Sequence, residues 1–450
     1  MKIIQSFWSA GQKVLNDNFG WHSPRFHAIS WALSSLQLSK FYNVELYTDS
    51  IGYDFLIKKL DLPYKKVHVV LDRLNNFPSN FWALPKIQSY MLQKEPFIHF
   101  DGDVFLFKPL PDTLLKGSII SQNLEVTTDY YEHMWNEIYP HLTYIPEEIT
   151  GYIKNKKSYA CNMGIFGGND INFIHDYSLK AYDFAKNNIQ LSQKINSSNF
   201  NIFFEQVYLY ELLTIQNKKS SYLIDEISLD NEYIGFGNFH EVPFKRTYLH
   251  LLGSYKRIYS VCRLLEIYFI SYYPEYFKKI FNIFPDNYKY FNNLGKYNFT
   301  LQENIDRFNF FIKNVINDST SYYDENYLFN RDISCIRLHK ILFDKMKFEQ
   351  DFFIKRIKGN YIEKIVIKEE SIEEKCIKIK EINDKDSIIY IDEIDEILLE
   401  KIRNKISFNK LQREMLELLD EEAVGMAMEF RDMIKERVIY FLKNRILIIF

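Results

Sequence analysis

The stretch Phe97-Ile98-His99-Phe100-Asp101-Gly102-Asp103 decides the reading of this chain. A short apolar run, strand-like in character, delivers two carboxylates at its C-terminal end with a glycine between them. In an open α/β sheet, ligands bind beyond the carboxyl ends of the strands. Extended geometry would turn residues i and i+2 to one side, and Gly102 permits a sharp turn and close ligand approach. Paired carboxylates suit a hard divalent cation such as Mn2+ or Mg2+, which commonly leaves part of its shell to phosphate and water. A bare Asp-x-Asp also occurs as a solvated turn. Here the apolar strand before it and Val104-Phe105-Leu106-Phe107 after it favour a built site.

Outward from this point the chain alternates strand and helix patterns. Ile3–Trp8, Asn43–Thr48, Lys66–Val70 and Phe97–Phe100 read as strands. Pro24–Phe41, with Ser23 as N-cap and Pro24 at the first helical position, reads as a helix. Tyr53–Leu60 and Pro85–Gln93 read as shorter ones. This rhythm predicts a mostly parallel sheet flanked by helices. From Asp112 to about Tyr159 the pattern loosens, as for an insertion over a site. Cys161–Gly168 is strand-like, Asp170–Asn187 and Asn201–Thr214 helical, and Tyr222–Leu229 and Thr247–Leu252 strand-like again.

The second cluster is Tyr248-Leu249-His250-Leu251-Leu252-Gly253-Ser254-Tyr255-Lys256. His, Gly and Lys follow one another at three-residue spacing at a strand end. An imidazole can complete a metal shell with two carboxylates. A glycine lets backbone amides approach phosphate oxygens. A lysine brings a mobile positive charge to a diphosphate.

Together, Asp101-Gly102-Asp103 and His250-x-x-Gly253-x-x-Lys256 resemble the GT-A-fold glycosyltransferases of the glycogenin and bacterial galactosyltransferase type, over about residues 1–260. The resemblance implies a GT-A, Rossmann-like fold and a hexosyltransferase-like activity. It implies Mn2+ (or Mg2+) on Asp101, Asp103 and His250, with Gly253 and Lys256 touching the diphosphate of a nucleotide-sugar, a UDP-sugar for this family. It also implies donor contacts for Lys86, Asn162, Gly164 and Gln206. Glu205 is a candidate general base, and Lys256 stabilises the leaving group. Glu205 stands where the family commonly has Asp, and Lys256 is followed by Arg257-Ile258 rather than Pro-Trp. Retention or inversion at the anomeric carbon stays open. The acceptor is a glycan, a lipid-linked sugar or a peptide.

Two other readings stay beside this one. A nucleotidyltransferase would need a Gly/Lys/Arg-rich loop after the first strand, and Ser9-Ala10-Gly11-Gln12-Lys13 is a poor version of it. An inactive sugar-nucleotide-binding module is the other, and the intact Asp101, Asp103 and His250 set argues against such decay. Trp8, Trp21, His22 and Trp82 are candidates for an acceptor cleft, and Asp49 for a nucleotide contact. In so aromatic a chain, core packing is the simpler role for the rings.

The chain has 450 residues, too long for one ordinary core. The expected division is a glycosyltransferase domain over 1–265, a helical, aromatic-rich connector over 266–330 with a Tyr/Asn-rich loop at 288–298, and an α+β, mainly helical extension over 331–450. That extension resembles, at the level of pattern, the peptide-binding winged-helix modules of peptide-modification pathways. In that case it would hold a peptide acceptor, whereas helical packing or dimerisation is the simpler alternative. The Glu/Lys run from Glu369 reads as a solvated face. A net charge of -3 argues against a nucleic-acid surface. The four cysteines are far apart with no CxxC pair, which suits reduced thiols in a cytoplasm. The N-terminus lacks signal-peptide features, and no apolar run is long enough to span a bilayer. The expected location is cytoplasmic, at most peripheral to the inner membrane face.

Overall fold

The computed structural model describes all residues except 12, 13, 15, 16, 127, 128, 150–158, 195–197, 226, 227, 230–235, 240, 241, 244, 245, 254, 258, 285–352, 357–361, 368–371, 381–385, 420–423, 445 and 450. The described chain forms two compact units. The first comprises Met1–Gly237, Arg246–Ile258 and Lys278–Phe284, and the second Asn238–Lys245, Tyr259–Phe277 and Pro285–Phe450.

The first unit is built on an eight-stranded sheet. Its strands are β1 (Lys2–Phe7), β2 (Val44–Thr48), β3 (Lys66–Val69), β4 (Phe97–Phe100), β6 (Ile120–Val126), β7 (Tyr159–Gly168), β8 (Ser221–Tyr222) and β9 (Ser228–Leu229). The order is β3-β2-β1-β4-β7-β6-β8, with β9 also on β6. Strand β7 runs antiparallel to both β4 and β6, and the remaining pairs are parallel. This is an α/β fold with a mainly parallel sheet flanked by helices. The strands of such a sheet are buried on both faces. Strand β4 shows why: Phe97 joins one hydrophobic cluster, and Ile98 and Phe100 join the other. A second ladder, β5 (Val104–Leu106) with β10 (Tyr248–His250), is antiparallel, with His250 opposite Val104.

Helix α1 (Pro24–Leu38) starts at Ser23 with Pro24 in its first turn, although Ser23 makes no side-chain cap bond. It is buried over nearly its whole length, so its serines must find partners inside the protein. Helix α2 (Leu84–Met91) lies just before β4 in sequence.

Two expectations are corrected. The stretch read as a loose insertion, 112–159, supplies β6 to the main sheet and a helix at Asp129–Ile138. Its polar Ser121, Gln122 and Asn123 disguise a strand because they are buried and bonded internally. Among the described residues, the strand read over Tyr222–Leu229 is present as the short β8 and β9, with 223–225 outside any strand.

In the second unit, β12 (Ile362–Ile367), β13 (Ile372–Lys380) and β14 (Asp386–Tyr390) form an antiparallel meander. Helices follow at Glu393–Lys401, Phe408–Leu416 and Ala427–Lys443. Strands β11 (Phe353–Arg356), β15 (Ile406–Ser407) and β16 (Leu447–Ile449) make a second small sheet. Part of the Glu/Lys run is therefore a strand, whose Cys376 and Ile377 are buried. A further helix of this unit runs over Tyr259–Tyr272, and the helix at Pro274–Ile283 is divided between the two units. The rest of the expected connector, including the 288–298 loop, lies outside the described residues. Among the described residues no helix is long and apolar enough to cross a membrane.

Candidate metal and diphosphate site

Asp101 leaves β4 with its amide still in the sheet, donating to the Gly164 carbonyl of β7 at 2.9 Å. The chain then turns, and the Val104 amide donates back to the Asp101 carbonyl at 3.2 Å. The two carboxylates therefore converge by a turn, not by the extended alternation expected from sequence. Buried serines of α1 hold this turn: Ser30 Oγ donates to the Gly102 carbonyl at 2.7 Å, and Ser34 Oγ to the Val104 carbonyl at 2.6 Å. Gly102 is obligatory for a steric reason. A Cβ there would fall 2.3–2.7 Å from the indole of Trp31.

The β5–β10 ladder brings the second cluster to the first. The Leu251 amide donates to the Asp103 carbonyl at 3.0 Å, and His250 Nε2 lies 3.4 Å from Asp103 Oδ1. One ligand atom each of Asp101, Asp103 and His250 falls within 4.8 Å of the others. His250 Nδ1 donates to Gln122 Oε1 at 2.7 Å, and the Tyr248 hydroxyl donates to the same oxygen at 2.5 Å. Gln122 Nε2 is engaged with Asn123 Oδ1 at 3.0 Å, which leaves Oε1 as the acceptor. With the proton on Nδ1, Nε2 keeps its lone pair toward the carboxylates. A ligating histidine is oriented in this way by an acceptor behind it. Two carboxylates and one such imidazole fit a divalent cation of the Mn2+ or Mg2+ kind.

Two lysines complete the cluster. Lys256 Nζ lies 2.9 Å from Asp103 Oδ2, on a turn that follows Gly253. Lys86 Nζ, on α2, lies 3.1 Å from Asp101 Oδ2 and 2.6 Å from Glu205 Oε1. Burial lowers the affinity of Lys86 for its proton, but Asp101 and Glu205 outweigh this and hold it above the usual lysine range. Burial pushes Asp103 up, yet the Lys256 charge prevails and holds it below the usual carboxylate range. Asp101 is raised by burial and by Asp103, against the pull of Lys86. Beneath it, burial and the Lys86 charge keep His99 neutral, where it bonds Ser6 Oγ at 2.8 Å.

Glu205 sits on a π-helical turn, Phe203–Val207, and is wholly buried. Such turns often occur at functional sites. Burial raises its carboxyl to about 7, with Lys86 opposing and Asp101 adding. Its neighbour Gln206 is half-buried. Gly253 has φ +52°, in the left-handed region that favours glycine, with open space around it.

The structure thus brings together Asp101, Asp103, His250, Lys86, Lys256 and Glu205. Gly164 belongs with them: a Cβ there would meet Gln122 Oε1 at 2.4 Å and His250 Nδ1 at 2.5 Å. Asn162 points elsewhere, donating to Glu125 Oε1 at 2.7 Å and accepting from the Gly164 amide at 2.9 Å. Gly167 and Gly168 serve close strand packing, since a Cβ on either would strike a backbone carbonyl. Asp49 caps a short helix and accepts from Ser9. Trp8 and Trp21 are buried, His22 is exposed, and Trp82 is exposed. Gln122, Ser30, Ser34 and Trp31 were missed by sequence reasoning. The two serines gave little signal, since α1 also carries Arg25, His27, Ser35 and Gln37.

Over residues 1–283 the sequence matches a protein family described as "Family of unknown function (DUF6734)". The chain belongs to this family. The DUF6734 region contains every residue of the cluster. No curated protein matches the chain. Among solved structures, one titled PaToxG Glycosyltransferase is similar at 16% identity and a TM-score of 0.27, covering 48% of this chain and 69% of that one. Another, mouse xyloside xylosyltransferase 1 in its apo form, is similar at 12% identity and a TM-score of 0.26, covering 49% and 84%. At these scores the likenesses carry no functional argument, and the chemistry rests on the site itself.

Proposed function

We propose that the DUF6734 region is a GT-A-type, metal-dependent glycosyltransferase that takes a sugar from a nucleotide-diphosphate sugar. The observation that carries this reading is the cluster at the β4 end: Asp101, Asp103 and His250 within 4.8 Å, with one lysine on each aspartate. A divalent cation would be held by Asp101, Asp103 and His250, and when bound it neutralises charge on a diphosphate leaving group. Lys256 would hold the departing diphosphate, with Gly253 letting the backbone come close. Lys86, fixed from behind by Glu205, would address the transferred sugar together with Gln206. Because Glu205 has no exposed surface, it acts through Lys86 and not as a base on the acceptor. Gly164 would keep the wall beside His250 narrow, and Asn162 would brace that wall from within. Catalysis is then positioning and leaving-group stabilisation. The family resemblance of the motifs favours a UDP-sugar as donor. A glycan, a lipid-linked sugar or a peptide serves as acceptor, and a peptide would be presented by the C-terminal unit.

A thermal-shift screen of UDP-sugars with and without Mn2+ tests this. A ligand at a hundredfold its Kd stabilises by about 2.7 kcal/mol, so stabilisation that requires both components is the expected result. Stabilisation by a nucleoside triphosphate alone would sink the reading in favour of nucleotidyl transfer. Asp103→Asn should lose Mn2+-dependent hydrolysis of the UDP-sugar while staying folded.

A further inference from the structure

The chain contains five tryptophans. Trp8, Trp21, Trp31 and Trp135 are at most 7% exposed, whereas Trp82 is 38% exposed. Its neighbours Phe81, Ala83 and Leu84 are all wholly buried. The backbone around it is fixed by the buried Asn201, whose side chain donates to the Asn80 carbonyl at 2.8 Å and accepts from the Ala83 amide at 3.0 Å. A rigid loop, anchored on both sides, thus holds one large aromatic ring toward solvent.

The ring's position is not arbitrary. Lys86 Nζ lies 5.3 Å from the Trp82 ring centroid, a cation–π contact, and the same ammonium touches Asp101 and Glu205. Trp82 therefore stands one residue away from the metal-binding aspartate, on the side of the ammonium proposed to face the sugar. The other four rings are covered by the protein itself, whereas part of this one is left open for a ligand to cover.

We propose that Trp82 is a saccharide platform, its exposed surface taking the C–H face of a pyranose ring. The apolar face of the sugar removes ring surface from water while its hydroxyls stay solvated or reach Lys86. The proposal rests on the glycosyltransferase reading for its place in the reaction, but the platform itself can be tested without any nucleotide. The pyranose belongs either to the donor or to the acceptor.

Wild type, Trp82→Ala and Trp82→Phe would be compared, with circular dichroism confirming the fold. In one arm, UDP, UDP-glucose, UDP-galactose and UDP-N-acetylglucosamine are titrated calorimetrically at saturating Mn2+. In the other, methyl glycosides, lactose and maltose are titrated without nucleotide and followed by tryptophan fluorescence. If the ring holds the donor sugar, Trp82→Ala weakens a UDP-sugar roughly two- to tenfold, leaves Mn2+ affinity alone, and Trp82→Phe recovers part of the loss. If it holds the acceptor, UDP-sugar affinity stays the same, and a saccharide shifts wild-type fluorescence but not that of either variant. Equal binding of UDP-sugars and saccharides by wild type and Trp82→Ala overturns the platform, as does a wild type with no sugar-dependent signal in either arm. A wild type that binds no nucleotide with Mn2+ overturns the glycosyltransferase reading instead, and the saccharide arm then decides Trp82 alone.

Discussion

Gln122→Leu is the sharpest probe of the metal site, because Gln122 touches none of the ligand atoms that would face the cation. Its Oε1 accepts from His250 Nδ1 at 2.7 Å and from the Tyr248 hydroxyl at 2.5 Å. Leucine fills a similar volume but accepts nothing. Two buried donors are stranded, each costing about 1–3 kcal/mol, so the variant should melt measurably lower. The more telling effect is on the imidazole. Without an acceptor behind Nδ1, the ring is free to rotate or change tautomer, and Nε2 is no longer reserved for the cation. Removing such an outer partner typically costs about 10- to 100-fold in metal affinity, equivalent to roughly 1.4–2.7 kcal/mol. Mn2+ affinity by electron paramagnetic resonance measures this directly, and 15N correlation of the His250 ring reports the tautomer. Gln122→Glu keeps an acceptor at the same place and should bind Mn2+ at least as tightly as wild type. If folded Gln122→Leu binds Mn2+ like wild type, His250 is not a ligand oriented from behind, and the three-residue metal set is wrong.

Three further outcomes follow from the same geometry. Gly102→Ala would press a Cβ within 2.3–2.7 Å of the Trp31 indole, so it should destabilise by about 1–3 kcal/mol in chemical denaturation and loosen Mn2+ binding; an unchanged midpoint would mean that the turn is not braced by α1. Lys86→Met leaves the wholly buried Glu205 without its cation and should cost about 3–5 kcal/mol, while adding Glu205→Gln should restore most of it; a lack of recovery would show that Lys86 does not depend on Glu205. Mn2+ and UDP should each tighten the other's binding by about 5- to 150-fold, equally in both directions, and independent binding in calorimetry would contradict a shared site.

Much of this site was legible because its chemistry is confined to few residue types at strand ends. Asp101, Asp103, His250 and Lys256 could be picked from sequence since carboxylates after an apolar strand and a spaced His-Gly-Lys are uncommon together. The strands carrying them were legible as well: β4 was read over Phe97–Phe100, where it lies. Gln122 was not legible. It is 128 residues from His250 in sequence, on a strand whose Ser-Gln-Asn centre breaks the apolar signal. Nothing local marks a glutamine as the acceptor for a distant imidazole. The π-helical turn at Phe203–Val207 was likewise read as plain helix, because it is a single turn set between helical segments and its apolar residues mark no boundary. In the C-terminal unit, the dense charges of Ile372–Lys380 hid a strand whose Cys376 and Ile377 are buried.

The arrangement of charge explains why the cluster should bind two ligands better than one. As it stands, each aspartate has an ammonium on one oxygen: Lys86 on Asp101 and Lys256 on Asp103. A cation arriving alone would compete with both lysines for those oxygens and leave two ammoniums poorly paired, the buried Lys86 and the half-buried Lys256, which is most costly for the buried one. A diphosphate arriving alone would meet the lysines but also the two carboxylates, whose repulsion opposes it. Brought together, the cation takes the aspartates and the diphosphate takes the lysines, so every charge exchanges one opposite partner for another. Glu205 fits the same logic. Buried behind Lys86, it keeps that ammonium charged and in place while its other partner changes, without itself meeting the substrate. A site whose internal ion pairs match the charges of its two ligands so closely has little use for either ligand by itself. That is the physical reason for proposing a metal-bound diphosphate here and not a structural metal.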